Sequence, residues 1–365
     1  MYENSKLLKL EQNYRSTRTI VDASNAVVKN NKDRIDKTCF SENELGDEII
    51  YTHLHDNLEE ANFIANEIIS IGKYNKISYN EMAILYRTNS QSRSLEQELL
   101  KAGVPYKVIG AVNFGERKEI KDIMSYLKVY YNRKDKVAFA RALGTLDGVG
   151  EKTIDSMLDY MTMHNLDALE TILKAPVKGA KAVNSLRNMF IILNNKYTKA
   201  SDILKQVSQE FIAKLKIEGT EDANNRISNI EELISVALEK ENNNITLDEF
   251  IVEMDLMNSA KIEDDVEAVS LMTVHSSKGL EFTTIFACGL NDGLLPHCNC
   301  MASNLIEEER RLMYVAMTRA KKLLYLSSYK YGVTDKGSQS YNPSRFIKEI
   351  PQEFIYKNKQ NTGGF

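Results

Sequence analysis

The chain has 365 residues, 43% of them hydrophobic and 27% charged, the size and balance of a globular protein of about two domains. A net charge of −4 argues against basic charge spread over the whole surface but leaves room for a local basic face. No run of ~18 apolar residues marks a membrane span. Residues 1–6 lack a signal-peptide pattern, and four cysteines are too few for a disulfide scaffold, so a reducing cytoplasm is expected.

Gln12-Asn13-Tyr14-Arg15-Ser16-Thr17 precedes a helical run with Ile20, Val21, Val27 and Val28. Ser16 or Thr17 is placed to cap that helix. Tyr14 and Arg15 then stand just before its N-terminus, where unpaired amides and the helix dipole favour an anion. Glu48 to Leu54 reads as a strand, Leu58 to Ile71 as an amphipathic helix, and Glu81 to Tyr86 as a second strand. That strand runs into the polar stretch Arg87 to Arg93, followed by a helix through Leu95, Leu99 and Leu100 and a short strand, Tyr106 to Ile109. Strands alternating with helices of this length predict a parallel, helix-covered sheet.

From about Glu116 to Met257 the periodicity is helical and strand signals are nearly absent. A sheet that stops for a helical block and then resumes predicts one α/β domain, residues 1–110 plus 268–358, with an all-helical domain, 111–267, inserted in it. Residues 359–365 read as a disordered tail. Within the block, Gly148-Val149-Gly150 is a turn whose glycines let backbone amides approach a phosphate; a plain helix–helix turn is the alternative. Gly150-Glu151-Lys152-Thr153 mimics a phosphate-binding loop, but the Gly-x-x-x-x-Gly-Lys-Ser/Thr spacing is missing and no strand precedes it. Between Ile172 and Ile217 nine basic residues face two acids, Asp202 and Glu210, the composition of a basic face or simply of a solvated one.

Strands resume at Val269 to Val274 and Thr283 to Cys288, separated by His275, Ser276, Ser277, Lys278, Gly279 and Glu281. So many donors, acceptors and charges beside buried strands suit ligand contacts, a surface turn being the alternative. Cys288, His297, Cys298 and Cys300 lack the usual zinc spacing, and no metal site is expected. The stretch from Glu307 to Lys322 reads as a helix with Leu312, Val315 and Ala316 on its apolar face, and Arg319 falls on the same face seven residues after Leu312. A guanidinium there needs an anion, either a carboxylate of the fold or a ligand phosphate. Leu323 to Ser328 is a closing strand.

Taken together, Gln12 to Thr17, Tyr86 to Asn89, Phe114 to Asp122, Gly148 to Gly150, Thr273 to Phe282 and Glu307 to Ala320 resemble, in order, the motifs of superfamily 1A DNA helicases of the UvrD/PcrA/Rep family, nearest to its PcrA branch. The resemblance spans nearly the whole chain and implies the C-terminal half of such a helicase. It implies a RecA-like second motor domain without a P-loop, interrupted by a helical accessory domain. In that reading Arg15 and Arg319 reach the ATP γ-phosphate, Tyr14 stacks on adenine, Glu281 holds the ribose, and Gln12 and Gly279 complete the ATP side. Arg87, Asn89, His275, Ser276 and Lys278 line a single-stranded DNA track, while Gly148, Gly150, Lys152 and Thr153 touch duplex at the fork. The implied partners are single-stranded and fork DNA and the N-terminal motor domain, with no membrane. ATP and Mg2+ are implied, the metal held by the N-terminal half, because no Gly-x-x-x-x-Gly-Lys-Ser/Thr and no Asp-Glu-ended strand occur here. The parent activity is ATP-driven 3′–5′ translocation and unwinding, and the chain alone is expected not to hydrolyse ATP. A non-catalytic DNA-junction or protein-binding module, or a recombination helicase–nuclease subunit, is the alternative.

Overall fold

The computed structural model describes residues 9–34, 37–176, 180–196, 198–259, 266–301, 305–334 and 337–358. The tail expected to be disordered, 359–365, lies outside the described residues. The chain forms two compact units. One comprises Met1–Val112, Ile262–Gly332 and Ser338–Phe365; the other comprises Asn113–Lys261 with Val333–Gly337.

The first unit is a parallel α/β sheet, the fold class expected from sequence. Its strands are β1 (Ile49–Asp56), β2 (Met82–Tyr86), β3 (Tyr106–Val108), β4 (Val269–Thr273), β5 (Phe282–Ala287), β6 (Ala320–Thr334), β7 (Gly337–Ser340) and β8 (Ile355–Asn358). They run in the order β3-β4-β2-β5-β6-β1-β8, with β7 added beside β6, and every neighbouring pair along that path is parallel. All five residues of β2 are buried, as a central strand covered on both faces requires. Alternation divides its side chains between two cores. Ala83 and Leu85 pack with Ile20 and Val27 of α1 (Arg18–Val28) and with Leu312, Met313 and Ala316 of α12 (Ile306–Met317). Met82, Ile84 and Tyr86 pack with Ile64 and Ile68 of α2 (Asn57–Tyr74) and with Leu95 and Leu99 of α3 (Ser92–Lys101).

Two details differ from the sequence reading. Thr17 occupies the N-cap position of α1 but makes no capping bond. Its hydroxyl is packed against Gly46, where an added Cβ would lie 2.6 Å from Oγ1, so the cap is spent on close packing. The closing strand is also longer than Leu323 to Ser328, because β6 begins at Ala320, directly after the turn that ends α12.

The second unit is helical, the described elements being α4 (Lys118–Tyr131), α5 (Lys136–Gly144), α6 (Glu151–Met163), α7 (Ala168–Lys174), α8 (Ala180–Lys196), α9 (Ala200–Glu218), α10 (Glu221–Asn242) and α11 (Leu247–Ser259). They enclose one core, with Leu127, Phe139, Leu143, Leu204, Ile230 and Leu233 fully buried. A buried polar chain locks the start of α4 to α10: Arg117 donates to Asn229 Oδ1 (2.8 Å) and Asn229 donates to Glu119 Oε1 (2.6 Å).

Candidate functional site

In a parallel sheet every crossover leaves one strand at its C-terminal end and returns to the next strand at its N-terminal end. Two crossovers here are rich in polar residues: 274–281 between β4 and β5, and 288–319 between β5 and β6. Each contributes residues to both ends of the sheet. Along the six residues of β5 those ends stand about 20 Å apart.

At the N-terminal ends of β5 and β6, distant residues converge. Ser16 donates to the carbonyl of Ala320 (2.6 Å) and the Thr17 amide donates to that of Lys321 (3.1 Å), fixing the first segment beside β6. Asn13 Oδ1 accepts the amides of Arg15 (2.8 Å) and Ser16 (3.0 Å), a local turn that sets the direction of Tyr14 and Arg15. Arg15 Nε then meets Glu281 Oε2 at 2.6 Å, and its Nη1 donates to the Thr318 carbonyl at 3.2 Å. Lys321 Nζ sits 3.0 Å from the other oxygen of Glu281. Arg15, then Lys321, hold the Glu281 carboxyl below its ordinary range. Tyr14 is 77% exposed, its hydroxyl donating to Gln12 Oε1 at 2.6 Å. Gly279, at φ +85°, leaves open space where a Cβ would stand.

Arg319 corrects the helix expected at this point. Helix α12 stops at Met317, and Arg319 lies in the turn before β6, not on the helix face. Its guanidinium is half-buried and donates to two carbonyls, Val315 O (3.2 Å) and Leu280 O (3.1 Å). Among the described residues no carboxylate forms an ion pair with it. Burial, then the neighbouring Arg15 charge, depress its basicity, while Glu281 and Tyr314 oppose that effect. Two guanidiniums and a lysine therefore gather at an exposed end of the sheet, where Glu281 pairs with Arg15 and Lys321 and Arg319 is held by carbonyls. The sequence reading missed Lys321 in this cluster, although it stands two residues after Arg319 and its polar start to a buried strand was the available signal.

At the C-terminal ends of β2 and β4 lies the second set. Tyr86 and Thr273 are paired, and the Val274 amide donates to Tyr86 O (2.8 Å), which brings the Arg87 and His275 segments side by side. His275 and Lys278 are exposed, and Ser276 is half-buried with its Oγ 2.9 Å from Thr273 Oγ1. Gly110, at φ +77°, presses on Ser276, where a Cβ would come within 2.8 Å of the hydroxyl. Asn89 opens a 3-10 turn, Asn89–Gln91. Arg87 is not displayed to solvent: its guanidinium is paired with Glu309.

In the helical unit the turn between α5 and α6 takes the form expected of it. The Val149 amide donates to Leu146 O (3.2 Å), with Gly148 at φ +82° in the third position, a geometry that favours glycine. Gly150 is the N-cap of α6, and neither glycine has any atom within 4 Å of an added Cβ. Lys152 is exposed and Thr153 half-buried. A cleft of about 830 Å³ adjoins this turn, lined in part by Arg141, Asp147, Phe211 and Lys214. Its charges are largely matched: Lys214 pairs with Asp147 (2.8 Å) and Arg141 with Asp122 (2.8 Å). Among the described residues no group of three or more His, Cys, Asp or Glu is placed to hold a metal ion, and no helix is long and apolar enough to cross a membrane.

Comparison with known proteins gives this arrangement its context. Residues 8–331 match the model of the UvrD-like helicase C-terminal domain. The ATP-dependent DNA helicase PcrA of Bacillus subtilis (strain 168) is 36% identical over 97% of this chain and 51% of its own length. The PcrA of Staphylococcus aureus (strain Mu50) is 34% identical over 97% of this chain and 51% of its own. The chain thus spans about half the length of these relatives. With a match of this extent, the chain belongs to the UvrD-like helicase C-terminal domain family.

Proposed function

We propose that this chain is the second motor domain, with its inserted helical accessory domain, of an ATP-dependent DNA helicase or translocase working 3′–5′ in the cytoplasm. In this reading residues 1–110 and 268–358 form the motor domain and 111–267 the accessory domain. The partner is the preceding motor domain of the same protein, which supplies the phosphate cradle and the Mg2+ ligands. The observation that carries the reading is the pairing of Arg15 with Arg319, drawn from opposite ends of the chain to one end of the sheet, the latter with no carboxylate partner among the described residues.

The chemistry assigned to this chain is electrostatic. Phosphoryl transfer spreads negative charge over the γ-phosphate oxygens, and preplaced guanidiniums stabilise that charge. Arg15 and Arg319 are held by carbonyls and by Glu281, so little reorganisation is needed when a phosphate arrives. Tyr14 offers an exposed ring to the adenine, Glu281 an acceptor for the ribose, and Gln12 and Gly279 an adjacent polar surface. At the other end of the sheet Asn89, His275, Ser276 and Lys278 face single-stranded DNA, with Arg87 in the same segment. In the helical unit Gly148, Gly150, Lys152 and Thr153 face duplex at the fork through backbone amides and one lysine.

The test joins this chain to the half of the Bacillus subtilis PcrA relative that it does not cover. ATP turnover stimulated by single-stranded DNA is then compared with that of Arg319→Ala and Arg15→Ala variants. Each arginine should account for roughly 10³–10⁵ in rate while DNA affinity is kept. Near-normal turnover in the Arg319→Ala protein would remove that residue from the site.

A further inference from the structure

Strands β2 and β5 leave the sheet side by side: Leu85 is paired with Ala287, and the Cys288 amide donates to Leu85 O at 3.0 Å. Beyond Tyr86 the chain leaves the ladder, and its amides need other acceptors. One side chain supplies them. Gln91 Oε1 accepts the amides of Arg87 (3.0 Å) and Thr88 (2.9 Å), with the Thr88 hydroxyl 3.3 Å away. The Gln91 backbone amide donates to Thr88 O at 3.2 Å, closing the 3-10 turn Asn89–Gln91. Two donated amides require the oxygen at that end of the Gln91 side chain, which leaves Nε2 toward the exit of β5. There it lies against Gly289: an added Cβ would overlap Nε2 and stand 3.3 Å from Cδ.

Gly289 has no room to retreat. It sits at φ +62°, its amide donates to Glu60 Oε1 (2.9 Å) and its carbonyl accepts the Asn291 amide (2.8 Å). The next amide, that of Leu290, donates to Ser327 O at 2.9 Å. A side chain at 289 would thus displace Gln91, whose flexible end is the part able to yield, and the Arg87 and Thr88 amides would lose their acceptor. We infer that Gln91, seated against the bare backbone of Gly289, is a positioning residue for the segment that presents Arg87 and Asn89 to single-stranded DNA. The inference rests on the reading of this end of the sheet as the DNA-facing end. A segment held in one conformation before the strand arrives loses less freedom on binding, so the glutamine serves DNA affinity without touching DNA.

The test compares the unaltered chain with Gln91→Met, which keeps the shape but has no amide acceptor, Gln91→Glu, which keeps the acceptor, and Gly289→Ala, which changes no hydrogen-bonding side chain. Amide hydrogen exchange at Arg87 and Thr88 is measured by NMR, with the amides of β2 as the internal control, alongside binding of oligothymidylate. Gln91→Met should speed exchange at the two amides and weaken binding, each about tenfold, the size expected when hydrogen bonds that hold a binding segment are lost. Gly289→Ala should speed exchange at the same two amides, and Gln91→Glu should retain their protection. Exchange that rises equally along β2 in Gln91→Met would show a general loss of stability and overturn the positioning role. Weaker binding with unchanged exchange in Gln91→Met would make Gln91 a direct contact and overturn it too. Faster exchange with unaltered binding would overturn its bearing on DNA. Unchanged protection in Gly289→Ala would overturn the seat at 289. Failure of the unaltered chain to bind oligothymidylate would overturn the DNA-facing reading, and the positioning role with it, while the exchange data would still report whether Gln91 holds the two amides.

Discussion

Glu60 offers a quantitative test of how the sheet is held together. It lies on α2, 4% exposed, and its Oε1 accepts the Gly289 amide at 2.9 Å, where the chain leaves β5. Burial lifts its pKa from the ordinary 4.5 to about 7, against the lowering effect of the Gly289 and Ser327 hydrogen bonds. Between those two values the folded state binds more protons than the unfolded state, so stability falls as pH rises. The neutral acid's contribution is fully present below about pH 4.5 and is lost once pH has passed about 7. At 1.36 kcal/mol per pH unit the whole effect is roughly 3 kcal/mol. Glu60→Gln keeps an acceptor for the Gly289 amide and removes the charge. Urea unfolding at pH 5 and pH 8 should therefore show a difference in the native chain that shrinks by about 2–3 kcal/mol in the variant. Labelling of Cys288, a buried free thiol beside Glu60, reports the opening of this unit in particular. An identical pH dependence in the two proteins would refute the reasoning.

Other consequences follow from single contacts. Gly148→Ala should destabilise the helical unit by about 1 kcal/mol, because its φ of +82° strains an L-residue. Gly150→Ala, at φ −97° with open space around it, should fold normally. Any selective loss of fork over single-strand binding in Gly150→Ala then reports a contact and not a fold defect; equal loss on both substrates would defeat the duplex-contact reading. Arg15→Ala should raise the titration midpoint of Glu281 toward the ordinary carboxylate range, read by carboxyl NMR, since Arg15 is the largest cause of its depression; an unmoved midpoint would show that Lys321 alone sets it.

The elements of the sheet were legible because their signals are local. β2 is a continuous apolar run since both of its faces are covered, and the turn at Gly148 is announced by a residue that tolerates positive φ. The relations that make the site were less so. Arg87 and Glu309 stand 222 positions apart, and Arg15 and Glu281 stand 266 apart; no periodicity links such pairs, and only the order of the parallel strands brings them together. Arg319 shows the limit of extrapolating a helix. The apolar spacing through Leu312, Val315 and Ala316 continues on paper, but the helix ends at Met317 and β6 begins at Ala320. Of the two partners expected for the arginine, a carboxylate of the fold is not found among the described residues, where the Val315 and Leu280 carbonyls hold it instead. Thr17 illustrates the reverse case: its position at the cap was readable, but the close approach of Gly46, which claims its side chain, was not.

The most direct test of the account is ATP hydrolysis by this chain alone, with and without single-stranded DNA, beside its Arg319→Ala variant. No turnover above background is expected in either protein, because in the proposed reading the phosphate cradle and the Mg2+ ligands are supplied by the partner motor domain. Turnover by the unaltered chain that the Arg319 change abolishes would contradict this expectation and would place a complete nucleotide site within these residues.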